Sequence, residues 1–138
     1  MRPSAATSRY RGRPSCANTC TATGFELPPF FTDDEALAAD LMQHAAAVND
    51  PMWRLPLWKP YRARLDSKVA AINNISDGPF AGSITAALFL QEFVGAGIPW
   101  AHFDLFAWNP SGKPGRPEGA AAQTLRAVFA VLAERFGG

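Results

Sequence analysis

The chain has 138 residues, of which 48% are hydrophobic and 18% charged, and its net charge is +1. That is the size of one domain and the composition of a folded protein rather than a disordered one. A charge so close to zero gives no bulk reason to expect a nucleic acid or a membrane surface as partner, and no apolar run reaches the roughly 18–20 residues of a membrane span.

Residues 1–24 differ from the rest. They carry Arg2, Arg9, Arg11 and Arg13, no acidic residue, and almost no large aliphatic side chain. Such a leader reads as a disordered or non-native tail, with a transit peptide or a basic phosphate-binding arm as alternatives. Both cysteines, Cys16 and Cys20, lie in it. A lone Cys-x-x-x-Cys pair defines neither a metal site nor a disulfide framework, so a reducing cytoplasm is the default setting.

From residue 25 to 138 the pattern is that of a folded unit. Thr32-Asp33-Asp34-Glu35 has the form of a capping box. Leu37, Leu41, Ala45 and Val48 then recur at helical spacing until Asn49-Asp50-Pro51 stops the helix, leaving Glu35, Asp40 and Gln43 toward water. Residues 52–66 interleave Trp53, Trp58 and Tyr61 with Arg54, Lys59, Arg62 and Arg64. Stacking plus charge could hold single-stranded nucleic acid, but Pro56 and Pro60 favour an extended segment, then a short helix from about Pro60, with packed aromatics and solvated arginines.

Val69 to Ile75 is expected as a short strand and Ser76-Asp77-Gly78-Pro79 as a turn. Ser83 is a candidate N-cap for a helix that is apolar nearly all round and so buried on several sides, ending at Gly95 and Gly97. A glycine before a helix can mark a phosphate site, but the Gly-Lys-Ser/Thr signature is missing. Residues 100–108, Trp-Ala-His-Phe-Asp-Leu-Phe-Ala-Trp, read as a strand apolar on both faces and therefore interior to a sheet. A loop through Asn109-Pro110-Ser111-Gly112 leads to a last helix from about Glu118 to Phe136, with Leu125, Val128, Phe129, Leu132 and Phe136 as its buried stripe. Helix, strand, buried helix, strand and helix make an α/β layer protein without internal repeats.

Several pieces of this order carry a resemblance: Trp53-Arg54-Leu55-Pro56-Leu57, Tyr61, Asn73-Asn74, Ala81 through Leu90, Glu92-Phe93-Val94, Trp100-Ala101-His102-Phe103-Asp104 and Gly115-Arg116-Pro117. From about Leu27 to Phe136 the chain resembles the C-terminal part of the catalytic domain of the leucyl (cytosol) aminopeptidases. The resemblance implies a partial α/β/α sandwich with a mixed central sheet. It implies a family of two-metal exopeptidases (manganese or zinc) that remove N-terminal residues from peptides and form homohexamers. The family's metals are held by a lysine, aspartates and a glutamate, and its signature is Asn-Thr-Asp-Ala-Glu-Gly-Arg. This chain contains no such motif, so no catalytic residue, metal ligand or resident cofactor carries over to it. A shortened or frameshifted start would account for both the basic leader and the missing signature. Thr21-Ala22-Thr23-Gly24 is close in form to a Thr-Leu-Thr-Gly element of the family, but its spacing to Leu27-Pro28-Pro29-Phe30 is too short. Ala71 stands where relatives often carry an acidic residue.

Three expectations follow for the site. His102 and Asp104 form a structural polar pair, not metal ligands, since a two-metal centre needs several carboxylates from separate segments. The resemblance places Phe106, Ala107 and Trp108 near the pocket for the substrate's N-terminal side chain, although this stretch departs from the family's small residues. The whole would act either as the segment of an aminopeptidase, inactive alone, or as a non-catalytic module pairing with intact family members.

Overall fold

The computed structural model describes residues 23–75, 78 and 80–137. The leader lies almost wholly outside these residues, as do both cysteines and most of the 76–79 turn.

Three short strands make the central sheet: β1 (Pro29–Phe31), β2 (Trp53–Arg54) and β3 (His102–Phe103), in the order β2-β1-β3. β1 runs parallel to β2 and antiparallel to β3, so the sheet is mixed, in an α/β fold. Phe30 and Phe31 are both fully buried, and strand alternation sends them to opposite faces. Phe30 enters the main core with Ala38, Leu41, Ala45, Met52, Ala127 and Val131. Phe31 stacks on the His102 ring, centroids 6.0 Å apart.

Helix α1 (Glu35–Ala47) begins differently from a capping box. Asp34 is the N-cap, its carboxylate accepting from Leu37 N at 2.9 Å, while the Thr32 hydroxyl accepts from Asp34 N at 3.0 Å. Glu35 is drawn away because the parallel β1–β2 register sets Arg54 beside it, and the guanidinium grips both carboxylate oxygens at 2.6 Å. The helix ends in a Schellman motif: Asp50 N donates to Ala45 O and Asn49 N to Ala46 O, with Asn49 in the left-handed region at φ 52°.

A 3₁₀ helix spans Lys59–Leu65, close to the short helix expected from Pro60, and buries Leu65. The strand expected over Val69–Ile75 does not form. Ser67 Oγ accepts from Val69 N and Ala70 N, and Asn73 Oδ1 accepts from Ile75 N, so local side-chain bonds replace a ladder.

Helix α2 (Gly82–Gln91) packs against the 3₁₀ helix. Ser83 is not its cap: Ala81 is the capping residue, at φ 61°, and Ser83 lies buried within the helix, its hydroxyl without a partner among the described residues. Ser83, Thr85, Ala87 and Leu88 are buried, and Leu90 is the exposed residue of the helix, so cover extends over more than one of its faces.

The long strand expected over residues 100–108 is two. β3 ends when Asp104 N donates to Pro29 O; Ala107, at φ 52°, breaks the alternation, and the chain enters a separate two-stranded sheet, β4 (Trp108–Asn109) with β5 (Gly119–Ala120). β3 has one strand neighbour among the described residues, and Ala101 to Phe106 are half-buried rather than interior. Helix α3 covers Leu125–Phe136, starting later than expected because β5 takes up part of the preceding segment. It packs on α1 through Ala127 and Val131, with Val128 partly covered. The stripe expected to be buried mostly faces outward: Leu125, Phe129, Leu132 and Phe136 are 62%, 71%, 49% and 78% exposed.

Candidate functional site

A cavity of about 590 Å³ opens between residues 23–26, the β4–β5 hairpin and the start of α3. Its existence follows from three local devices. The first is the hairpin: the 110–118 loop closes by reciprocal backbone bonds between Lys113 and Arg116, with Gly115 at φ 71° making the reversal, and Asn109 Nδ2 donates to Arg116 O and Pro117 O. The second is Gln123, whose amide joins the walls by donating to Phe25 O at 2.5 Å and accepting from Ala107 N at 3.1 Å.

The third is Asp50. The Schellman turn that ends α1 delivers this buried carboxylate to the N-terminus of α3, where Thr124 has a left-handed backbone and gives no side-chain cap. Asp50 accepts from Thr124 N at 3.2 Å, Arg126 N at 3.0 Å and Ala127 N at 3.3 Å. One acid thus satisfies three otherwise unpaired amides and meets the positive end of the helix dipole. Arg126, anchored on Asn49 O at 2.8 Å, closes that end of the cavity.

Of the residues expected at a substrate pocket, Trp108 lines this cavity with its ring about half exposed. Phe106 does not line it but packs against Phe25, which does, with ring centroids 4.3 Å apart. Ala107 contributes the bend and two backbone bonds, to Gln123 and Ala121. The sequence reading missed Asp50, taken only as part of a helix stop, and Gln123, placed inside the last helix. Gln123-Thr124-Leu125, a polar pair before an apolar repeat, was the signal for a later helix start.

His102 and Asp104 line neither this cavity nor the smaller one beside Trp100. Burial holds His102 below its usual pKa, and the nearby Asp104 charge offsets this in part. His102 is therefore biased toward the neutral form.

Most of the other charges are engaged with one another. Glu35 is held below the usual carboxylate range by its hydrogen bonds from Arg54. Arg62 is raised by bonding to Glu92 and then Asp66, at 2.5 and 2.9 Å. Arg64 donates to Phe80 O and stacks over Tyr61. The arginines of residues 52–66 are thus tied to the fold rather than simply solvated, while Trp53 and Trp58 stay about half exposed rather than packed. Asp40 pairs with Arg135, His44 with Glu134 and Glu26 with Lys113. Among the described residues no three of His, Cys, Asp and Glu converge to hold a metal ion. The described residues do not fit a two-metal centre. No helix among them is long and apolar enough to cross a membrane.

Comparison with known proteins gives a consistent picture. Residues 16–129 match the catalytic domain of the cytosol aminopeptidase family. A probable cytosol aminopeptidase of Synechococcus sp. (strain WH7803) is 42% identical over 109 residues, which is 78% of this chain and 22% of that protein. One from Caulobacter vibrioides is 38% identical over 118 residues, 83% of this chain and 24% of that protein. Among solved structures, the cytosol aminopeptidase of Coxiella burnetii superposes with a TM-score of 0.80 at 51% identity, over 83% of this chain and 25% of that one. The bottromycin maturation enzyme BotP, solved in complex with Mn, gives 0.80 at 34% identity over 86% of this chain and 27% of its own. The chain spans about a quarter of the length of the relatives it matches.

Proposed function

Because the chain belongs to the cytosol aminopeptidase family, we propose that it supplies the pocket-bearing, C-terminal segment of a catalytic domain that removes N-terminal residues from peptides, and that it has no turnover alone. In this reading Trp108 and Phe25 grip an apolar side chain, Gln123 fixes the distance between the walls, and Asp50 holds α3 so that Arg126 borders the pocket. The chemistry of peptide hydrolysis, with its divalent ions (manganese or zinc), belongs to parts of the domain that the family has outside the matched quarter. The observation that carries the reading is the preserved family fold, a TM-score of 0.80 over 83% of this chain but 25% of the Coxiella burnetii enzyme, around a cavity lined by Trp108. We place the activity in the cytoplasm and, in the intact assembly, in a homo-oligomer.

The test is direct. Purified chain is incubated with Mn²⁺, Zn²⁺ or Co²⁺ and a leucyl chromogenic substrate. No turnover is expected. Turnover exceeding that of an identically prepared His102→Ala, Asp104→Ala double variant would overturn the reading and make β3 catalytic.

One observation favours a second reading, a non-catalytic module that pairs with intact family members. Leu90, Phe93, Leu125, Phe129 and Phe136 leave apolar surface open on α2, just past its end and on α3, and exposed apolar patches of this kind mark interaction surfaces. Co-elution with the intact Coxiella burnetii enzyme on size exclusion is the expected sign of it. Separate elution at micromolar concentrations of both would dismiss it.

A further inference from the structure

We infer that the cavity beside Trp108 receives a carboxylate carried on an apolar body, with Arg116 as its anion-binding group. This rests on the reading of the cavity as a substrate pocket and adds the charge of what enters it. The volume, about 590 Å³, suits a small organic ligand. Its walls offer the rings of Phe25 and Trp108, each about half exposed, which favours an apolar body.

The polar groups then decide the sign of the ligand. Glu26 is taken by Lys113. Asp50 is buried and saturated by three amides of α3. The Asn109 amide nitrogen serves two carbonyls of its own hairpin, and Gln123 bridges Phe25 to Ala107. Among the charged groups of the lining, what is left over is cationic. The Arg116 guanidinium makes no hydrogen bond or ion pair with the described residues. Arg126 uses one nitrogen on Asn49 O and stands 3.8 Å from Asp50. A cation would meet both guanidiniums while finding both carboxylates occupied. A neutral ligand would leave the Arg116 fork unused. A carboxylate matches that fork in shape and charge. A dipeptide, whose carboxylate lies one residue beyond its apolar N-terminal side chain, has this chemistry.

The experiment uses the whole chain and two probes, N-acetylphenylalanine and its primary amide, followed through the indole N–H resonance of Trp108, which is assigned by its loss in Trp108→Phe. The carboxylate is expected to bind at least about tenfold tighter than the amide, since a hydrogen bond to a charged group is the stronger kind. In Arg116→Gln, on an exposed loop and checked for fold by circular dichroism, the two probes should bind alike. Equal affinities in the unmodified chain would overturn the inference and leave the pocket reading standing. A carboxylate preference that survives Arg116→Gln would overturn the role of Arg116. No shift of Trp108 with either probe would overturn both the inference and the pocket reading.

Discussion

Replacing Asp50 should damage this fold more than replacing any other acidic residue among those described. The carboxylate is buried and accepts from three backbone amides at 3.0–3.3 Å, and the amides of Thr124 and Ala127 are themselves shielded from water. Asp50→Ala leaves those donors without an acceptor. Loss of a helix cap costs about 0.5–2 kcal/mol, and each buried donor left unsatisfied about 1–3 kcal/mol. Water entering the vacated space through the adjoining cavity recovers part of this, so about 3 kcal/mol is expected, or roughly 10 °C in melting temperature for a chain of this size. Asp50→Asn keeps one acceptor oxygen, enough for Arg126 N and Ala127 N, but turns its NH2 toward Thr124 N and loses the charge, so an intermediate cost of about 2 kcal/mol is expected. Urea unfolding of the three proteins, followed by far-ultraviolet circular dichroism, gives the comparison. A cost below about 0.5 kcal/mol for Asp50→Ala would refute the claim that one acid fastens α3 to the end of α1.

Other outcomes follow from the same geometry. Leu88→Asp should cost several kcal/mol and abolish soluble expression, because Leu88 is 3% exposed in the fold and a carboxylate there has no partner. Arg62→Ala, on the surface between Asp66 and Glu92, should shift the melting temperature by no more than about 3 °C; equal losses in the two variants would mean the burial pattern is wrong. Stability should fall as pH drops below 6.5, the unperturbed His102 value, toward the lower pKa of the folded state, because the unfolded chain takes up the proton first. His102→Gln should flatten that part of the pH profile, and an unchanged slope would remove His102 as its source. Phe129→Glu, on the outward face of α3, should raise solubility while changing stability by less than about 0.5 kcal/mol; a loss above 2 kcal/mol in urea unfolding would show that this face is packed.

What the sequence made legible were features set by strong local chemistry. The helix of residues 35–47, the turn into the 3₁₀ helix at Pro60, and the burial of Leu41, Ala45 and Leu88 all follow from periodicity and proline. The family resemblance, too, stood on residue order alone. The errors lay where a partner distant in sequence decides. Glu35 left its expected capping role for Arg54, which arrives only through β1–β2 pairing. The strand of residues 100–108 broke at Ala107, whose left-handed backbone no propensity announces. On α3 periodicity found a stripe but not its direction: small Ala127 and Val131 allow close approach to α1, and Leu125, Phe129, Leu132 and Phe136 turn away. At the candidate site Trp108, expected near a substrate pocket, lines the cavity, whereas Asp50 and Gln123 act across 74 and 98 residues of sequence, and only the polar pair before the apolar repeat of α3 hinted at where Gln123 stands.

On the proposed reading this chain supplies a working pocket, and the rest of a family catalytic domain supplies the chemistry. A chimera puts this to the test: residues 23–136, which include Phe25 and the rest of the cavity wall, replace the matching segment of the Coxiella burnetii cytosol aminopeptidase, and hydrolysis of leucyl chromogenic peptides in Mn²⁺ is measured. A folded chimera with measurable turnover that falls on Trp108→Ala is expected. A chimera that folds and assembles like the parent yet hydrolyses nothing would contradict it.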